Sequence, residues 1–323
     1  MRALILGHFS TVGDIESLEY VEQVLGAEDI AYDVLPYKRD IAAALDGSLT
    51  PGGLDPARYT HVIIVCGPIW PGLLERRGIS LDRFAHCTRI GVNLTMVLPV
   101  EEWNPFHVLI ERDSDRTARP DLTFLQKTEI VPVVGLCTIA RQKEYGSKQR
   151  HGETIGVIRG IVAGRDVAAI EVDTRWPASR NSTGLRSPAE LLSVMAKVDL
   201  LLTNRLHGMV YALKAGVPAI AFDPVLGGDK VTAQAKVLGW PAVSTVENAT
   251  PEWIDRTWAW CLSDEGKAAA RSIAGKAREE LAPAAKELRS ALHAQFDPKP
   301  LPEERATGSI SRLASALRAT FRT

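Results

Sequence analysis

The sequence predicts an α/β protein with two parallel-sheet domains and a helical C-terminal segment. The chain has 323 residues, which is enough for two domains of ordinary size. Short runs rich in β-branched residues alternate with amphipathic stretches, which is the order of elements in parallel α/β folds. From residue 251 onward we expect helices, and residues 264–295 are rich in Ala, Lys, Glu and Leu, a composition that favours them.

Composition narrows the functional class. Hydrophobic residues make up 46% and charged residues 24% of the chain, as in globular proteins. With 38 basic and 39 acidic side chains the net charge is -1, which argues against nucleic acid as a partner. The four cysteines are widely spaced, so we expect neither a disulfide framework nor a metal site. The first apolar run is too short for a signal peptide, and no run is long enough for a membrane span, so we expect a cytoplasmic protein.

The first half of the chain contains six runs that predict buried strands. Their continuous apolar character is typical of strands covered by helices on both faces. Apolar residues at helical spacing over 15–25 predict a helix between the first two runs. The predicted strands are residues 2–6, 31–35, 61–66, 88–93, 108–111 and 129–134.

The second half repeats this alternation after a change in composition. Residues 138–153 are polar and basic without periodicity, and we interpret them as the link between two domains. The prediction is an N-terminal domain at 1–140 and a C-terminal domain at 141–296. A linker and an amphipathic helix at 297–323 would pack back on the body, although the helix is basic enough for weak contact with a membrane surface. Strands are predicted in this half at residues 154–158, 167–172, 200–202 and 219–222.

One segment of the second half places charged side chains between two apolar elements. A predicted strand ends near residue 202, Asn204 could cap the helix that follows, and Gly216 ends that helix. Arg205 and His207 therefore fall where the strand gives way to the first turn of the helix. The free backbone N–H groups and the helix dipole at such a place attract phosphate or carboxylate.

The next predicted strand ends at the same edge of the sheet. It is followed by Asp223 and then by Lys230, with two turn glycines between them. Because open α/β sheets bind ligands beyond the carboxyl ends of their strands, we expect Lys230 on the same rim as Arg205 and His207. Taken singly, each of these residues fits an ordinary surface position as well as a binding role. Spacing alone leaves both interpretations open, and the three together favour an anion site.

The run DLLLTNRLHGMVYALKAGVP at residues 199–218 resembles the hallmark of the polysaccharide pyruvyl transferase family. The matching order is a strand, Arg-Leu-His-Gly, an apolar helix, Gly-Val-Pro, a second strand, and then Asp and Lys before a helix. The likeness is strong over residues 187–240 and weaker, but in register, over the N-terminal half. It implies two Rossmann-like domains in a GT-B-type arrangement. It also implies transfer of the enolpyruvyl unit of phosphoenolpyruvate onto a sugar, commonly as a cyclic ketal.

The resemblance implies roles for four residues with cationic or titratable side chains. Arg205, Lys230 and Arg112 would bind phosphoenolpyruvate, since its carboxylate and phosphate need several cationic donors. His207 would carry protons, because histidine titrates near neutrality. We expect no cofactor beyond phosphoenolpyruvate as co-substrate, and a carbohydrate as the acceptor.

The resemblance also places an acceptor site in the N-terminal half. Gly13 and Asp14 open the first predicted helix and resemble an Asn-x-Gly-Asp turn, although Thr11 stands where the Asn is expected. Asp14 would hold an acceptor hydroxyl or act as its base, and capping the helix is an equally good account of it. Residues 67–71, GPIWP, replace a more usual run of glycines. These departures leave the identity of the acceptor open.

Other functions could use the same cationic rim. A GT-B glycosyltransferase would use it for the diphosphate of a nucleotide sugar. A non-catalytic member of the fold would bind an anion there or serve in assembly. A pyruvyltransferase could also act on a lipid-linked sugar, a nucleotide-activated sugar or a smaller metabolite rather than on an exopolysaccharide or cell-wall polymer. The basic tail and the seven tryptophans are compatible with a homo-oligomer, and packing within a domain accounts for the tryptophans more simply.

Overall fold

The computed structural model describes residues 1–50, 52 and 54–295. The amphipathic helix expected at 297–323 lies outside the described residues. The chain divides into two compact units, Met1–Glu129 and a second one from Ile130 onward. Each unit contains a five-stranded parallel sheet, which confirms the predicted α/β class. The GT-B-type arrangement of the two units stays a prediction.

The first unit has the strand order β2-β1-β3-β4-β5. Alternate residues of a strand point to opposite faces, and both faces of this sheet are apolar. Leu4 and Leu6 of β1 join one buried cluster, whereas Ala3 and Ile5 join another. The sequence predicts all five strands, which are β1 (Arg2–Gly7), β2 (Ala31–Pro36), β3 (His61–Ile69), β4 (Thr88–Met96) and β5 (Val108–Ile110). The described helices of this unit are α1 (Val12–Ala27) and α2 (Arg39–Ala44).

The second unit has the strand order β10-β9-β8-β6-β7 around a single large apolar cluster. Its strands are β6 (Val133–Cys137), β7 (Ala168–Glu171), β8 (Leu200–Thr203), β9 (Ala219–Asp223) and β10 (Val243–Thr245). Its described helices are α3 (His151–Ala163), α4 (Pro188–Met195), α5 (Leu206–Lys214), α6 (Lys230–Leu238), α7 (Pro251–Leu262), α8 (Asp264–Leu281) and α9 (Ala284–His293). The sequence does not predict β10, because three residues are too few to show a period.

The predicted domain boundary at residue 140 differs from the structure. β6 pairs with β7 and β8, so this strand belongs to the second sheet and not to the first domain. The boundary between the compact units is at 129/130. The polar stretch at 138–153 connects β6 to α3. In this stretch the Arg150 amide donates to the Pro224 carbonyl at 2.7 Å, and both residues belong to the second unit. Its lack of periodicity is therefore that of a long loop inside a domain.

The strand predicted at residues 154–158 is wrong, because these residues lie in α3. His151, Thr154, Ile158 and Ile161 are buried on one face of that helix, at spacings of three and four. The β-branched residues of this run favour a strand locally, but the helical period of the buried positions decides the outcome.

The start of α4 is specified by its own residues. Ser187 is the N-cap, and its hydroxyl accepts a hydrogen bond from the Glu190 amide at 3.2 Å. Pro188 occupies the first helical position, where its missing N–H costs no hydrogen bond. The Glu190 carboxylate reaches back to the Arg186 amide at 2.7 Å instead of to the cap residue. This start places residues 185–191 beside the loop that follows β7.

All four cysteines are free and buried. Burial raises the pKa of Cys261 to about 12, so this thiol packs as an apolar group. Across residues 1–50, 52 and 54–295, no helix combines the length and apolarity needed to cross a membrane.

Candidate functional site

The junction between β8 and α5 carries two of the predicted site residues. Arg205 is the N-cap of α5, and His207 lies in its first turn. The Thr203 hydroxyl at the end of β8 accepts from the Arg205 amide at 3.0 Å and donates to the Cys137 carbonyl at 2.6 Å. This buried hydroxyl therefore links the end of β6 to the start of α5 and holds the junction in register.

Gly208 lets α5 start directly against the sheet. An added Cβ at this position would clash with Thr203 Oγ1 and lie 3.2 Å from Cys137 Sγ. The Arg-Leu-His-Gly run thus places its glycine where a side chain does not fit, and its Arg and His on the open side of the same turn. Packing of the glycine positions the two functional candidates.

Asn204 has a different role from the one predicted. It is buried and is not the N-cap of α5. Its amide group accepts from the Ile139 amide at 2.7 Å and donates to the Ile139 carbonyl at 3.0 Å and to Thr154 Oγ1 at 2.9 Å. Asn204 therefore ties the loop after β6 to the α5 junction.

Arg205 forms a buried ion pair with Asp173, a residue that the sequence analysis did not single out. Arg205 Nη1 lies 2.8 Å from Asp173 Oδ1, and the two side chains are 15% and 5% exposed. Asp173 follows β7, so the pair connects the ends of two strands that flank β6. The carboxylate holds one nitrogen of the guanidinium in place, and no other described residue receives a hydrogen bond from this side chain.

The carboxylate of Asp173 is fully ionised at neutral pH. Burial raises the pKa of this group, but hydrogen bonds from Ser182 and Arg175 outweigh burial and hold the pKa at about 2. Oδ2 accepts from the Ser182 amide at 2.8 Å and from Arg175 Nε at 2.7 Å, and Oδ1 accepts from the Arg175 amide at 3.0 Å. Asp173 thus organises the loop after β7 as well as Arg205. The sequence carries one signal that could have identified Asp173. This carboxylate directly follows a predicted strand, at the edge of the sheet where Arg205 is expected.

His207 is exposed on the first turn of α5. Within the described residues its ring makes no hydrogen bond, so both ring nitrogens are open to a ligand. The turn that carries it also presents the free N–H groups of a helix start. This combination suits proton transfer next to a bound anion.

Lys230 lies at the first position of α6, which follows β9, and β9 pairs with β8. The structure therefore brings Lys230, Arg205 and His207 to neighbouring strand ends of one sheet, as predicted. The Lys230 ammonium lies 5.3 Å from the centre of the Tyr145 ring. Such a contact is favourable for a cation and restrains where the ammonium sits.

Asp223 organises the loop between β9 and α6, the helix that begins at Lys230. Its buried Oδ2 accepts from the Asp229 amide at 2.8 Å and from the Thr232 amide at 2.9 Å, and Oδ1 accepts from the Val225 amide at 3.1 Å. The carboxylate therefore closes the β9–α6 loop around itself. Gly227 and Gly228 have φ values of 79° and 84°, which are glycine conformations, so they act as turn residues here.

His151 is a second titratable group that the sequence analysis did not single out. It begins α3, is 2% exposed, and its Nδ1 has no hydrogen-bond partner among the described residues. Burial lowers the pKa of His151, and the charge of Lys230 lowers it further, whereas Glu144 and Asp223 oppose the shift. These effects favour the neutral ring. The neighbouring Arg150 amide donates to the Pro224 carbonyl, so the start of α3 lies beside the end of β9, the strand that leads to Lys230. Histidine at a helix start gave no sequence signal, because residues 154–158 were assigned to a strand.

Asp14 caps α1, which is one of its two expected roles. Its Oδ2 accepts from the amides of Ser10 and Thr11, both at 3.1 Å, and the Thr11 hydroxyl accepts from the Asp14 amide at 3.2 Å. These reciprocal bonds form a capping box with Thr11 as N-cap. Gly13 lies between them in regular helical conformation, and a Cβ there would make only an ordinary contact with Thr123 at 3.6 Å. Thr11, which stands where the resembled turn has Asn, is thus the N-cap of α1.

Arg112 follows β5 and is already paired with acidic side chains. Its Nε lies 3.0 Å from Asp113, its Nη1 lies 3.0 Å from Asp121, and its Nη2 donates to Thr95 at 2.6 Å. Two carboxylates outweigh the single guanidinium charge, so this cluster does not present a free cation to an anion. Arg112 could serve phosphoenolpyruvate only by exchanging one of these carboxylates for it. Arg112 and Asp14 both belong to the first unit, whereas Arg205, His207 and Lys230 belong to the second.

Among the described residues, no three His, Cys, Asp or Glu side chains come together as metal ligands. The donors at the strand ends of the second unit are instead guanidinium, ammonium, imidazole and backbone N–H groups. Such donors bind oxyanions.

Residues 138–224 match the family model described as polysaccharide pyruvyl transferase. The match runs from the end of β6 through β9 and includes Asp173, Arg205 and His207. The resemblance to this family is confirmed over these residues. Lys230 lies just beyond the matched stretch, on the loop that follows it. No curated protein matches the chain.

Several solved structures are similar to the chain. ADP-heptose LPS heptosyltransferase II of E. coli has 12% identity and a TM-score of 0.26, covering 81% of this chain and 98% of that chain. A glycotransferase of kitacinnamycin has 11% identity and a TM-score of 0.34, covering 89% and 98%. UDP-GlcNAc 2-epimerase of Methanocaldococcus jannaschii has 12% identity and a TM-score of 0.30, covering 84% and 98%. The fold class rests on the two parallel sheets themselves rather than on these likenesses.

Proposed function

We propose that the protein is a pyruvyltransferase. It would move the enolpyruvyl group of phosphoenolpyruvate onto two hydroxyls of a sugar acceptor, forming a pyruvate ketal and releasing phosphate. The observation that carries the proposal is the placement of Arg205, His207 and Lys230 on the first turns of two helices that follow paired strands. The match to the polysaccharide pyruvyl transferase family model over residues 138–224 supports the same chemistry.

Binding of phosphoenolpyruvate would use the donors left open at these strand ends. Arg205 has one nitrogen held by Asp173, and its remaining N–H groups are available as a planar fork for carboxylate or phosphate. Lys230 supplies a compact positive charge from the neighbouring strand end. The free N–H groups of α5 add the positive end of a helix dipole. Asp173 acts as a positioning residue, since it would reach the substrate only through Arg205.

The chemistry needs a group that takes up and releases protons. A first sugar hydroxyl adds to C2 of the enol while the methylene carbon C3 gains a proton and becomes a methyl group. The C2–O bond to phosphate then breaks, and a second hydroxyl adds to C2. Of the two protons that the hydroxyls lose, one ends on C3 and the other leaves with phosphate. His207 is exposed beside the anion donors and is our candidate for moving these protons.

The first unit would contribute to holding the acceptor. Oδ2 of Asp14 is used in capping α1, so an acceptor hydroxyl would contact its other oxygen, next to the helix turn at Gly13. Because Oδ2 already accepts two backbone hydrogen bonds, we assign Asp14 the role of holding an acceptor hydroxyl rather than that of its base. Its replacement should therefore affect acceptor binding more than the binding of phosphoenolpyruvate.

The test is phosphate release from phosphoenolpyruvate over a panel of hexose acceptors. We expect release with at least one acceptor, and its loss by at least about 100-fold in His207→Ala, the usual range for removal of an acid–base group. The control is His293→Ala, since His293 is an exposed histidine at the end of α9 and lies outside the site. The proposal is wrong if no acceptor supports release, or if His207→Ala and His293→Ala release phosphate equally well.

A further inference from the structure

A cleft of about 400 Å³ opens beside the Arg205–Asp173 pair. It lies entirely within the second unit, between the loop after β7, the start of α4 and one side of α5. Its walls are mainly apolar and include Leu185, Leu191 and Tyr211. Trp176 lies at this cleft and is 73% exposed. A large indole left open to water above an apolar cleft is typical of a surface that receives a ligand.

The cleft adjoins both His207, the proposed proton carrier, and Arg205, the proposed anion donor. Tyr211 follows His207 by four residues on α5, so the two side chains lie on the same face of the helix, one turn apart. Asp173 lines the other end of the cleft, and its Oδ1 accepts a hydrogen bond from Arg205 Nη1 at 2.8 Å. A molecule in this cleft would therefore extend from Trp176 toward His207 while leaving Arg205 to the anion.

The loop that carries Trp176 is built to hold its shape. The buried Asp173 carboxylate accepts from the Arg175 amide at 3.0 Å and from the Ser182 amide at 2.8 Å. Asn181 donates to the carbonyls of Asp173 and Arg175 at 2.8 and 2.9 Å, which closes the loop on itself. Trp176 is thus presented by an internally bonded loop, and its ring is not needed for packing the core.

We propose that this cleft binds a pyranose ring of the acceptor sugar, with the ring stacked on Trp176. The apolar walls suit the C–H face of a sugar, whose polarised C–H groups are attracted to the electron-rich face of an indole. They do not suit phosphoenolpyruvate, whose two anionic groups need several cations. Among the described residues, the Arg175 side chain donates only its Nε, to Asp173, and it is 50% exposed, so its other N–H groups can meet hydroxyls at the rim. This inference rests on the proposed function, because His207 must reach the hydroxyls of whatever occupies the cleft.

The test uses the full chain, three glycosides and, as a comparison probe, uridine, all in the absence of phosphoenolpyruvate. Methyl β-galactoside, methyl β-glucoside and methyl α-mannoside are titrated into the ¹⁵N-labelled protein while the indole N–H signals are recorded. The chain has seven tryptophans, and the signal of Trp176 is the one that Trp176→Phe lacks. Because Trp176 is exposed, Trp176→Ala and Trp176→Phe should both fold, and the signals of the other tryptophans report whether they do.

We expect at least one glycoside to shift the Trp176 signal in a saturable way. Its Kd is compared by calorimetry, since both variants lack the Trp176 signal. The Kd should rise at least about tenfold in Trp176→Ala, since stacking is lost, and stay within about threefold in Trp176→Phe, which keeps an aromatic face. In turnover, Trp176→Ala should raise the KM for the acceptor and leave the KM for phosphoenolpyruvate unchanged. The inference is overturned if no glycoside shifts the signal, if Trp176→Ala binds as well as the natural protein, or if uridine binds there and the glycosides do not.

The outcomes separate this inference from the proposed function. Trp176-dependent glycoside binding without any phosphate release would support the cleft as a sugar site and refute pyruvyl transfer. His207-dependent phosphate release with an unchanged acceptor KM in Trp176→Ala would support pyruvyl transfer and refute the cleft as its acceptor site.

Discussion

Asp173 is the residue on which the geometry of the candidate site depends most. It is buried, ionised and bonded to Arg205, Arg175 and Ser182. We expect Asp173→Asn to lower the free energy of unfolding by about 3 kcal/mol, since it leaves the Arg205 charge buried without its partner. Urea unfolding measures this change. Asp255→Asn is the control. Asp255 is exposed in its pair with Arg165, so its substitution should lower the free energy of unfolding by less than about 1 kcal/mol.

The acid stability of the protein should also depend on Asp173. Its pKa is about 2 in the folded protein and about 3.8 in the unfolded chain. The folded state therefore binds fewer protons, and the stability from this carboxylate is fully present above about pH 4 and is lost as the pH falls toward 2. Unfolding of Asp173→Asn should accordingly lose less stability than the natural protein over this window. Parallel slopes for the two proteins would contradict the ion-pair account.

His151 gives a second pH prediction, with its window near neutrality. Burial first, and then the charge of Lys230, lower the pKa of His151 below the unfolded value of 6.5. The unfolded chain therefore binds the proton more readily, so stability declines as the pH falls below about 6.5. We expect the midpoint of urea unfolding to drop more between pH 7.5 and 5.5 in the natural protein than in His151→Gln.

The control for His151→Gln is a histidine with no such environment. His293→Gln removes an exposed imidazole, so its pH slope should equal that of the natural protein. The other histidines are common to all three proteins and cancel in the comparison. Equal slopes for His151→Gln and the natural protein would show that His151 is not held neutral by burial and Lys230.

At the scale of elements, the site depends on how closely α5 starts against β8. Gly208→Ala would force a methyl group into Thr203, and we expect a loss of about 1–3 kcal/mol in unfolding free energy together with lower affinity for phosphoenolpyruvate. Gly156→Ala is a matched control, because Gly156 is also in a helix and nothing lies within 4 Å of its would-be Cβ. That substitution should stabilise α3 by about 0.5–1 kcal/mol. Equal effects of the two substitutions would mean that the close approach at Gly208 is not what seats the helix.

The elements also show where sequence reasoning succeeds and where it fails. β8, α5 and β9 are predicted because an apolar run, a helical period and a closing glycine occur in order within 24 residues, 200–223. α3 is misassigned because its β-branched residues favour a strand locally, while burial of one helical face decides the structure. β6 is placed in the wrong domain because pairing with β7 and β8 is a non-local contact that no local pattern carries.

The same distinction holds for the site. Arg205, His207 and Lys230 could be placed from the sequence, because each lies at the start of a helix that comes after a predicted strand, and strands of a parallel sheet end at one edge. Asp173 also follows a predicted strand, but its bond to Arg205 spans 32 residues of chain and no local pattern carries it. The Trp176 cleft likewise needs Tyr211, which reaches it from α5. Arg112 also follows a predicted strand as expected, but Asp113 and Asp121 pair with its guanidinium, and its position after the strand does not indicate that pairing.

At the scale of the whole molecule, we propose that the second unit is the anion-binding half of the protein. The net charge of -1 gives no general attraction for anions, so binding must come from the local donors at the strand ends of that unit. The family match lies within the same unit, whereas the first unit carries the departures from the family pattern and the paired Arg112.

The most direct measurement of this claim is the Kd of phosphoenolpyruvate, determined by calorimetry for the natural protein and for three single variants. We predict binding by the natural protein and a loss of at least about tenfold in Arg205→Gln and in Lys230→Gln, since each removes a charge-assisted contact. Arg186→Gln is the control, because Arg186 is 77% exposed and paired with Glu190 outside the anion site, and its Kd should stay within about twofold. The absence of binding to the natural protein, or unchanged affinity in Arg205→Gln and Lys230→Gln, would contradict the account.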